Sequence, residues 1–204
     1  MAIHKAVILT LFAATFLAAQ PFSFGVRGGV PLNTNDTGDS RYKLDVERWT
    51  VGPTGEFRLP FGLSIGADAL YRRVNTNNTR TVGGGTFTDN YRTNVWEFPY
   101  YATYRAGSGP LRPFLRGGGV SGRFSNDGTY VCSGEAASCG TATPGQAVAI
   151  TGTNWSHGFL FGGGLQLKMG KLKVEPEFRY TRWTSDFYSG TSRNQPSVLL
   201  GITF

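Results

Sequence analysis

Hydrophobic and polar residues alternate with a period of two along most of the chain, and the last nine residues show this pattern most simply. In residues 196–204 (PSVLLGITF), smaller or more polar side chains share one face of an extended strand, and the other face carries Val198, Leu200, Ile202 and Phe204. The pattern predicts a strand with one face in an apolar environment. We expect it to be the last strand of a closed sheet.

Seven earlier segments repeat the alternation, at about residues 22–30, 49–59, 63–72, 96–105, 113–124, 159–168 and 172–180. The fifth is the least regular, because the glycine triplet at residues 117–119 blurs its phase and could mark a bulge or bend.

The connections between these segments alternate in length. Long polar loops are expected at residues 33–41, 75–90, 125–152 and 186–195, and the other connections are short turns. Eight strands joined in this way place the last strand antiparallel to the first and leave no open edge. The sequence therefore predicts an all-β fold, an eight-stranded antiparallel up-and-down transmembrane β-barrel in which every second residue faces lipid.

The chain begins with a segment typical of a secretory signal peptide. Residues 1–5 are positively charged, and residues 6–19 carry no charge and are too few for a membrane-spanning helix, which needs roughly 20 residues. We predict cleavage after Ala19 and a barrel domain over residues 20–204. The 29 glycines and the 14% of aromatic residues are spread along the chain, which favours many short strands and tight turns.

The leader, the eight alternating segments, the loop lengths and the terminal Phe204 together resemble the eight-stranded outer-membrane β-barrel domain family of the OmpA/OmpX type. The resemblance implies a monomer in the bacterial outer membrane, with both termini in the periplasm and the long loops outside. It implies outer-membrane lipid and the barrel insertion machinery as partners, with Ile202 and Phe204 as the assembly signal. Leu199 stands where relatives often have glycine, and we expect no periplasmic domain after the barrel.

Charged residues recur at positions predicted to face the lumen. Five are carboxylates and five are arginines: Glu56, Asp68, Glu97, Glu175, Glu177, Arg27, Arg58, Arg72, Arg105 and Arg179. Carboxylate pairs can act as general acids and bases, but buried charges of opposite sign in a narrow barrel have to pair. We favour a structural ion-pair network.

Large aromatic residues lie near the loop-side ends of several strands. Trp49, Tyr71 and Trp96 have the outward parity and predict an aromatic girdle at the membrane interface. Trp183 has the inward parity and is expected at the rim or in the lumen.

The remaining candidates for chemistry are few. Cys132 and Cys139 are predicted to form a disulfide within a loop, since an exported protein enters an oxidising compartment and no further Cys or His joins them. His157 adjoins Ser156, and barrel enzymes that modify lipid A use rim His, Ser and acidic residues. Adjacent residues of a strand point to opposite faces, however, which disfavours this pair as a catalytic one.

We predict no catalytic, metal or cofactor-binding residue. The net charge of +7 is dispersed, which disfavours nucleic acid as a partner. The sequence thus favours a non-enzymatic outer-membrane protein with a structural or surface-interaction role, whose loops could bind an extracellular ligand. The alternatives are a narrow pore or hydrophobic-solute conduit and, third, a lipid-modifying enzyme.

Overall fold

The computed structural model describes residues 21–32, 42–46, 49–82, 84–134, 143–185 and 193–204. The predicted leader and most of the loops expected at 33–41 and 186–195 lie outside these residues, so the structure does not test them.

Antiparallel strands make up almost all of the described chain. They are β1 (Phe22–Pro31), β2 (Tyr42–Val46), β3 (Thr50–Arg58), β4 (Leu63–Asp68), β5 (Leu70–Val82), β6 (Gly85–Arg105), β7 (Leu111–Ser133), β8 (Ala147–Met169), β9 (Leu172–Trp183) and β10 (Asn194–Thr203), with a short 3₁₀ turn at Pro60–Gly62. The third predicted strand is divided in two, as β4 and β5, and β2 lies just before the second predicted strand, in a segment where no strand was predicted. The remaining segments correspond one to one to the predicted strands, so the barrel itself has eight.

The sheet closes on itself through β1. This strand pairs antiparallel with β3 on one side and with β10 on the other, so that Val26 lies opposite both Pro53 and Ile202. Between these two neighbours the sheet runs in chain order, with every described pairing antiparallel. The predicted fold class, an eight-stranded antiparallel up-and-down barrel, is confirmed.

Two of the predicted long loops are instead strands. The segment expected at residues 75–90 is a β-hairpin of β5 and β6 that turns at Gly84. The φ of Gly84 is 85°, a left-handed conformation that glycine adopts without strain. Much of the segment expected at 125–152 extends β7 and β8, with Val131 opposite Ala147. The first extension is rich in Thr and Asn, and the second mixes small, apolar and polar residues without regular alternation. Their period-two signal is therefore weak although their backbones are fully paired.

The two faces of the barrel differ in exposure, and β9 shows this residue by residue. Its inward positions are buried, among them Glu175, Glu177 and Arg179, while the outward Phe178 is half exposed. Because side chains alternate between the faces of a strand, the charged residues collect inside the barrel and the apolar residues outside.

The glycine triplet at residues 117–119 forms neither a bulge nor a break. The three glycines pair in unbroken register with Ala102, Tyr101 and Tyr100 of β6, and β7 is continuous. A Cβ on Gly118 would lie 2.0 Å from the Tyr100 carbonyl oxygen. The inward glycine here therefore permits close approach of two strands.

Candidate functional site

The centre of the lumen holds eight charges in direct contact, which we call the lumen charge network: Arg27, Glu56, Asp68, Arg105, Arg116, Glu175, Glu177 and Arg179. Four are cations and four are anions, so the network is neutral as a whole. Its side chains come from β1, β3, β4, β6, β7 and β9, and all are almost fully buried.

Glu177 connects three arginines. Its Oε2 accepts a short hydrogen bond from Arg116 Nη1, its Oε1 accepts one from Arg179 Nε at 2.7 Å, and Arg27 Nη1 lies 3.8 Å away. The Glu177 and Arg116 side chains are each fully buried. Since neither is hydrated, each depends on the other for charge compensation.

Asp68 forms the second centre of the network. Arg27 Nη1 donates to both of its oxygens at 2.9 and 2.8 Å, and Arg179 Nη2 donates to Oδ2 at 3.1 Å. The hydroxyls of Thr54 and Tyr101 each donate to Oδ1 at 2.7 Å. Every lone pair direction of this buried carboxylate is thus used.

The third centre, nearer the turns, is formed by Glu56, Glu175 and Arg105. Arg105 donates to Glu56 Oε2 and to Glu175 Oε1, both at 2.8 Å, and Gln166 Nε2 also donates to Glu175 Oε1 at 2.6 Å. No carboxylate of the network is left without a cation, so none is available as a free general base.

Aromatic rings fill the space between the guanidinium groups. The guanidinium carbon of Arg116 lies 4.2 Å from the centroid of the Tyr101 ring and 5.0 Å from that of Phe114. Stacked cations of this kind gain cation–π attraction that is strongest where water is excluded. The rings therefore hold the network in place and also close gaps in the lumen.

The structure brings seven of the ten predicted lumen charges together in this network and places the other three elsewhere. Arg72 and Glu97 form a separate pair (3.0 Å) nearer the loops. Arg58 is partly exposed at the turn end and makes none of the ion pairs among the described residues. Arg116 belongs to the network but was missed, because the glycines that follow it obscure the phase of β7. Its parity with Phe114 was the signal that could have found it.

Above the network, toward the long hairpins, the lumen contains an apolar cluster beside the Arg72–Glu97 pair. A cluster of buried side chains crosses it, comprising Val95, Tyr101, Val120, Phe124, Leu160 and Trp183. The Phe124 and Trp183 rings meet edge to face at 5.9 Å, and Trp183 Nε1 donates to Gln195 Oε1 at 3.1 Å. Trp183 thus faces the lumen, as its parity predicts.

The described part of the lumen contains a small cavity. A cavity of about 10 Å³ beside Arg72 and Glu97 has room for about one water molecule. The charge network and the apolar cluster together fill the interior, as is expected of a barrel of eight strands.

Aromatic side chains line the outside of the barrel near the loop-side ends of the strands. Tyr71 and Trp96 have ring centroids 5.1 Å apart, and the row continues through Phe98 to Trp155 at 6.3 and 6.4 Å. Trp49 is also exposed, just before β3. The three residues of the predicted girdle thus lie on the outer surface, and Trp155 extends the row.

His157 points outward from β8, whereas its neighbour Ser156 is buried in the lumen. His157 Nδ1 instead lies 3.0 Å from the hydroxyl of Ser121, which is opposite it on β7. Among the described residues, no carboxylate bonds to this histidine. The expectation that His157 and Ser156 point to opposite faces agrees with the structure.

The two ends of the barrel seam lie together at the turn side. Phe204 donates its backbone N–H to the Phe24 carbonyl at 3.0 Å, and Ser23 Oγ donates to the Phe204 carbonyl at 2.7 Å. The side chains of Ile202 and Phe204 point outward and are exposed. The predicted assembly signal is therefore accessible from outside the barrel.

Cys132 is buried at the far end of β7, and so it lies on a strand and not in a loop. Cys139 falls outside the described residues, and the disulfide stays a prediction. Within the described part of the chain, no helix is long and apolar enough to span a membrane, and no group of His, Cys, Asp and Glu is arranged to hold a metal ion.

No protein-family model and no curated protein matches this sequence. Among solved structures, Neisserial surface protein A (NspA) is 11% identical over 90% of this chain and 95% of its own, with a TM-score of 0.46. The N-terminal β-barrel domain of Pseudomonas aeruginosa OprF is 12% identical over 90% and 96%, with a TM-score of 0.43.

Ail, the attachment invasion locus protein of Yersinia pestis, is 8% identical over 90% of this chain and 99% of its own, with a TM-score of 0.41. These three solved structures are of the class that the sequence resembles, the small eight-stranded outer-membrane β-barrel proteins.

Proposed function

We propose that this protein is an integral outer-membrane protein whose closed barrel serves a structural or surface-interaction role and catalyses no reaction. The observation that carries the proposal is the inversion of the two faces: charges are buried inside, and large apolar side chains are exposed all round the outside. A soluble protein rarely exposes a continuous apolar surface, whereas a barrel in lipid requires one.

The outward apolar positions occur on every strand that closes the barrel. Half or more of the side chain is exposed at Phe24, Ile65, Leu115, Phe161 and Phe178. These residues come from β1, β4, β7, β8 and β9, so the apolar belt surrounds the barrel. Burying such side chains in lipid is worth about 1.5–3 kcal/mol each.

The interaction role is supported by the length of the hairpin formed by β7 and β8. Each of these strands has 23 residues, whereas a tilted membrane-crossing strand needs roughly 9–11. In the described chain, β8 pairs with β9 only from Gly158 onward, and His157 and Ser156 still bond to Thr184 and Ser185, so residues 147–155 pair with β7 alone. The end of this hairpin extends beyond β9 and offers a paired, exposed surface of mixed apolar and polar residues to the exterior.

Both termini would then lie in the periplasm, with the hairpins outside the cell. The test is fractionation of cells that make the full chain, together with gel migration before and after heating. We expect recovery in the outer-membrane fraction and a heat-dependent shift in migration. Recovery as a soluble periplasmic protein would contradict the proposal.

The two alternative functions have their own tests. The filled lumen argues against a pore, and we expect no single-channel current above background in planar bilayers. The outward His157 lacks a carboxylate partner among the described residues, and we expect a His157→Ala variant to leave lipid A composition unchanged. A clear current or an altered lipid A would replace the proposed role by the corresponding alternative.

A further inference from the structure

Three arginines follow the outward apolar rows at the loop side, and we call them the outer arginine set: Arg73 of β5, Arg123 of β7 and Arg182 of β9. Arg73 follows Tyr71, and Arg182 follows Tyr180, at the next outward position of the same strand. Arg123 lies directly between Trp96 and Trp155 in the strand register. The set therefore occupies the border where the apolar belt ends.

Among the described residues, these arginines have no carboxylate partner of the kind that the lumen arginines have. Arg73 bonds to the Asn94 side chain and Arg182 to that of Asn194, which are neutral amides. Arg123 is exposed and makes no hydrogen bond or ion pair with any described residue. Within the part of the chain that the structure describes, these three positive charges thus lie without a carboxylate partner at the border of the outward apolar surface.

The surroundings of Arg123 suit a phosphate carried on a headgroup. Two indole rings flank it in register, and the Ser121 hydroxyl and the His157 ring lie at the next outward positions toward the barrel. Guanidinium groups bind phosphate with two parallel hydrogen bonds, and tryptophan favours the interfacial depth at which headgroups lie.

We propose that the outer arginine set binds the phosphate groups of lipid headgroups in the leaflet on the loop side, with Arg123 at its centre. The inference rests on the proposed function, since it requires the apolar belt to be in a membrane. Its partner is a phosphorylated lipid and not a soluble anion, because the set borders the lipid surface on all three strands.

The chain offers a matched control at Arg92, which is also an exposed outward arginine. In the strand register Arg92 lies directly opposite Asp127, whose carboxylate can compensate the positive charge of Arg92. Replacing Arg92 removes the same charge and a similar volume from the same side of the barrel. Its loss should therefore leave lipid binding nearly unchanged.

The experiment uses the full chain after removal of its leader, inserted into nanodiscs of phosphatidylcholine doped with diphosphoryl lipid A or with lipid A stripped of both phosphates. Retained lipid A is counted by native mass spectrometry after release from the nanodisc. We expect the parent protein to retain the phosphorylated form preferentially. One interfacial arginine is worth about 1 kcal/mol, which corresponds to roughly fivefold in retention for Arg123→Gln.

The double variant Arg123→Gln/Arg182→Gln should lose roughly twenty-five-fold if the two contributions add. Equal retention of the two lipid A forms by the parent, or an equal loss in Arg92→Gln and Arg123→Gln, would overturn the inference while the barrel still inserts. Failure of the parent to insert into any nanodisc would instead contradict the proposed function, so the two failures are distinguishable.

Discussion

Removing one carboxylate from the middle of the lumen charge network should leave a positive charge that no water can reach. Glu177 is suited to this test because its fully buried side chain contacts Arg27, Arg116 and Arg179. Glu177→Gln keeps the shape and size of the side chain. It changes the balance of the network from four cations and four anions to four and three.

The expected cost follows from the burial of the partners. Breaking a buried ion pair by removing one member costs about 3–5 kcal/mol, because the remaining charge stays desolvated. Glu97→Gln is the matched control, since Glu97 has one ion-pair partner, Arg72, whose side chain is 13% exposed. Water can compensate there, and we expect a smaller cost, about 1–3 kcal/mol.

Reversible urea unfolding in lipid vesicles measures both costs as changes in the free energy of unfolding. A third variant, Glu177→Gln with Arg116→Gln, restores neutrality and should lose less than the two single losses combined, by about 0.5–3 kcal/mol. Equal costs for Glu177→Gln and Glu97→Gln, or strict additivity in the double variant, would refute the view that pairing across the lumen governs stability.

Three further predictions concern the outer surface, strand contact and the seam. Phe161→Arg places a charge in the middle of the apolar belt and should lower the free energy of unfolding by about 2–4 kcal/mol. Met169→Arg lies at the turn end of β8 and should lower it by about 0–1 kcal/mol. Equal refolding yields in vesicles would contradict this depth dependence. Gly118→Ala should destabilise by about 1–3 kcal/mol in urea, because its Cβ meets a backbone carbonyl, whereas the Gly117→Ala methyl meets ring atoms at 3.6 Å and should be nearly neutral. Deleting Phe204 should permit refolding in detergent but reduce delivery to the outer membrane in cells, and delivery equal to that of the parent would count against the assembly signal.

Period-two alternation predicted the strands wherever their two faces meet different surroundings. Along β9 and β10 one face is buried and the other exposed, so residue type reports facing directly. The projecting part of β8, by contrast, is exposed at nine successive positions from Ala147 to Trp155. Since neither face is buried there, apolar and polar residues do not alternate, and the pattern that marks a strand is lost. The loops predicted at those positions were wrong for this reason.

Odd or even position along a strand predicted which charged residues face the lumen, but not which of them contact one another. Parity gives the face of a residue but not its depth, so Arg58 was grouped with Arg105 although it lies at the partly exposed turn end. Arg116 was missed in the prediction because the glycines that follow it have no side chain from which to assign a face of β7. The partners of each charge come from strands far apart in sequence, such as Asp68 with Arg179, and no local pattern encodes them.

A buried ionic network is costly to desolvate, and we infer that its role here is to fix the register of the strands. Because side chains alternate, a one-residue slip of any strand would turn its lumen charges toward lipid, at about 2–4 kcal/mol for each arginine at mid-depth. An apolar lumen would oppose such a slip far less, since either face would then suit lipid. We therefore expect a barrel in which the whole lumen charge network is replaced by apolar residues of similar volume to populate more than one register. Inter-strand amide contacts measured by NMR would reveal this, and a single unchanged set of contacts in the apolar variant would show that the turns and glycines alone fix the pairing.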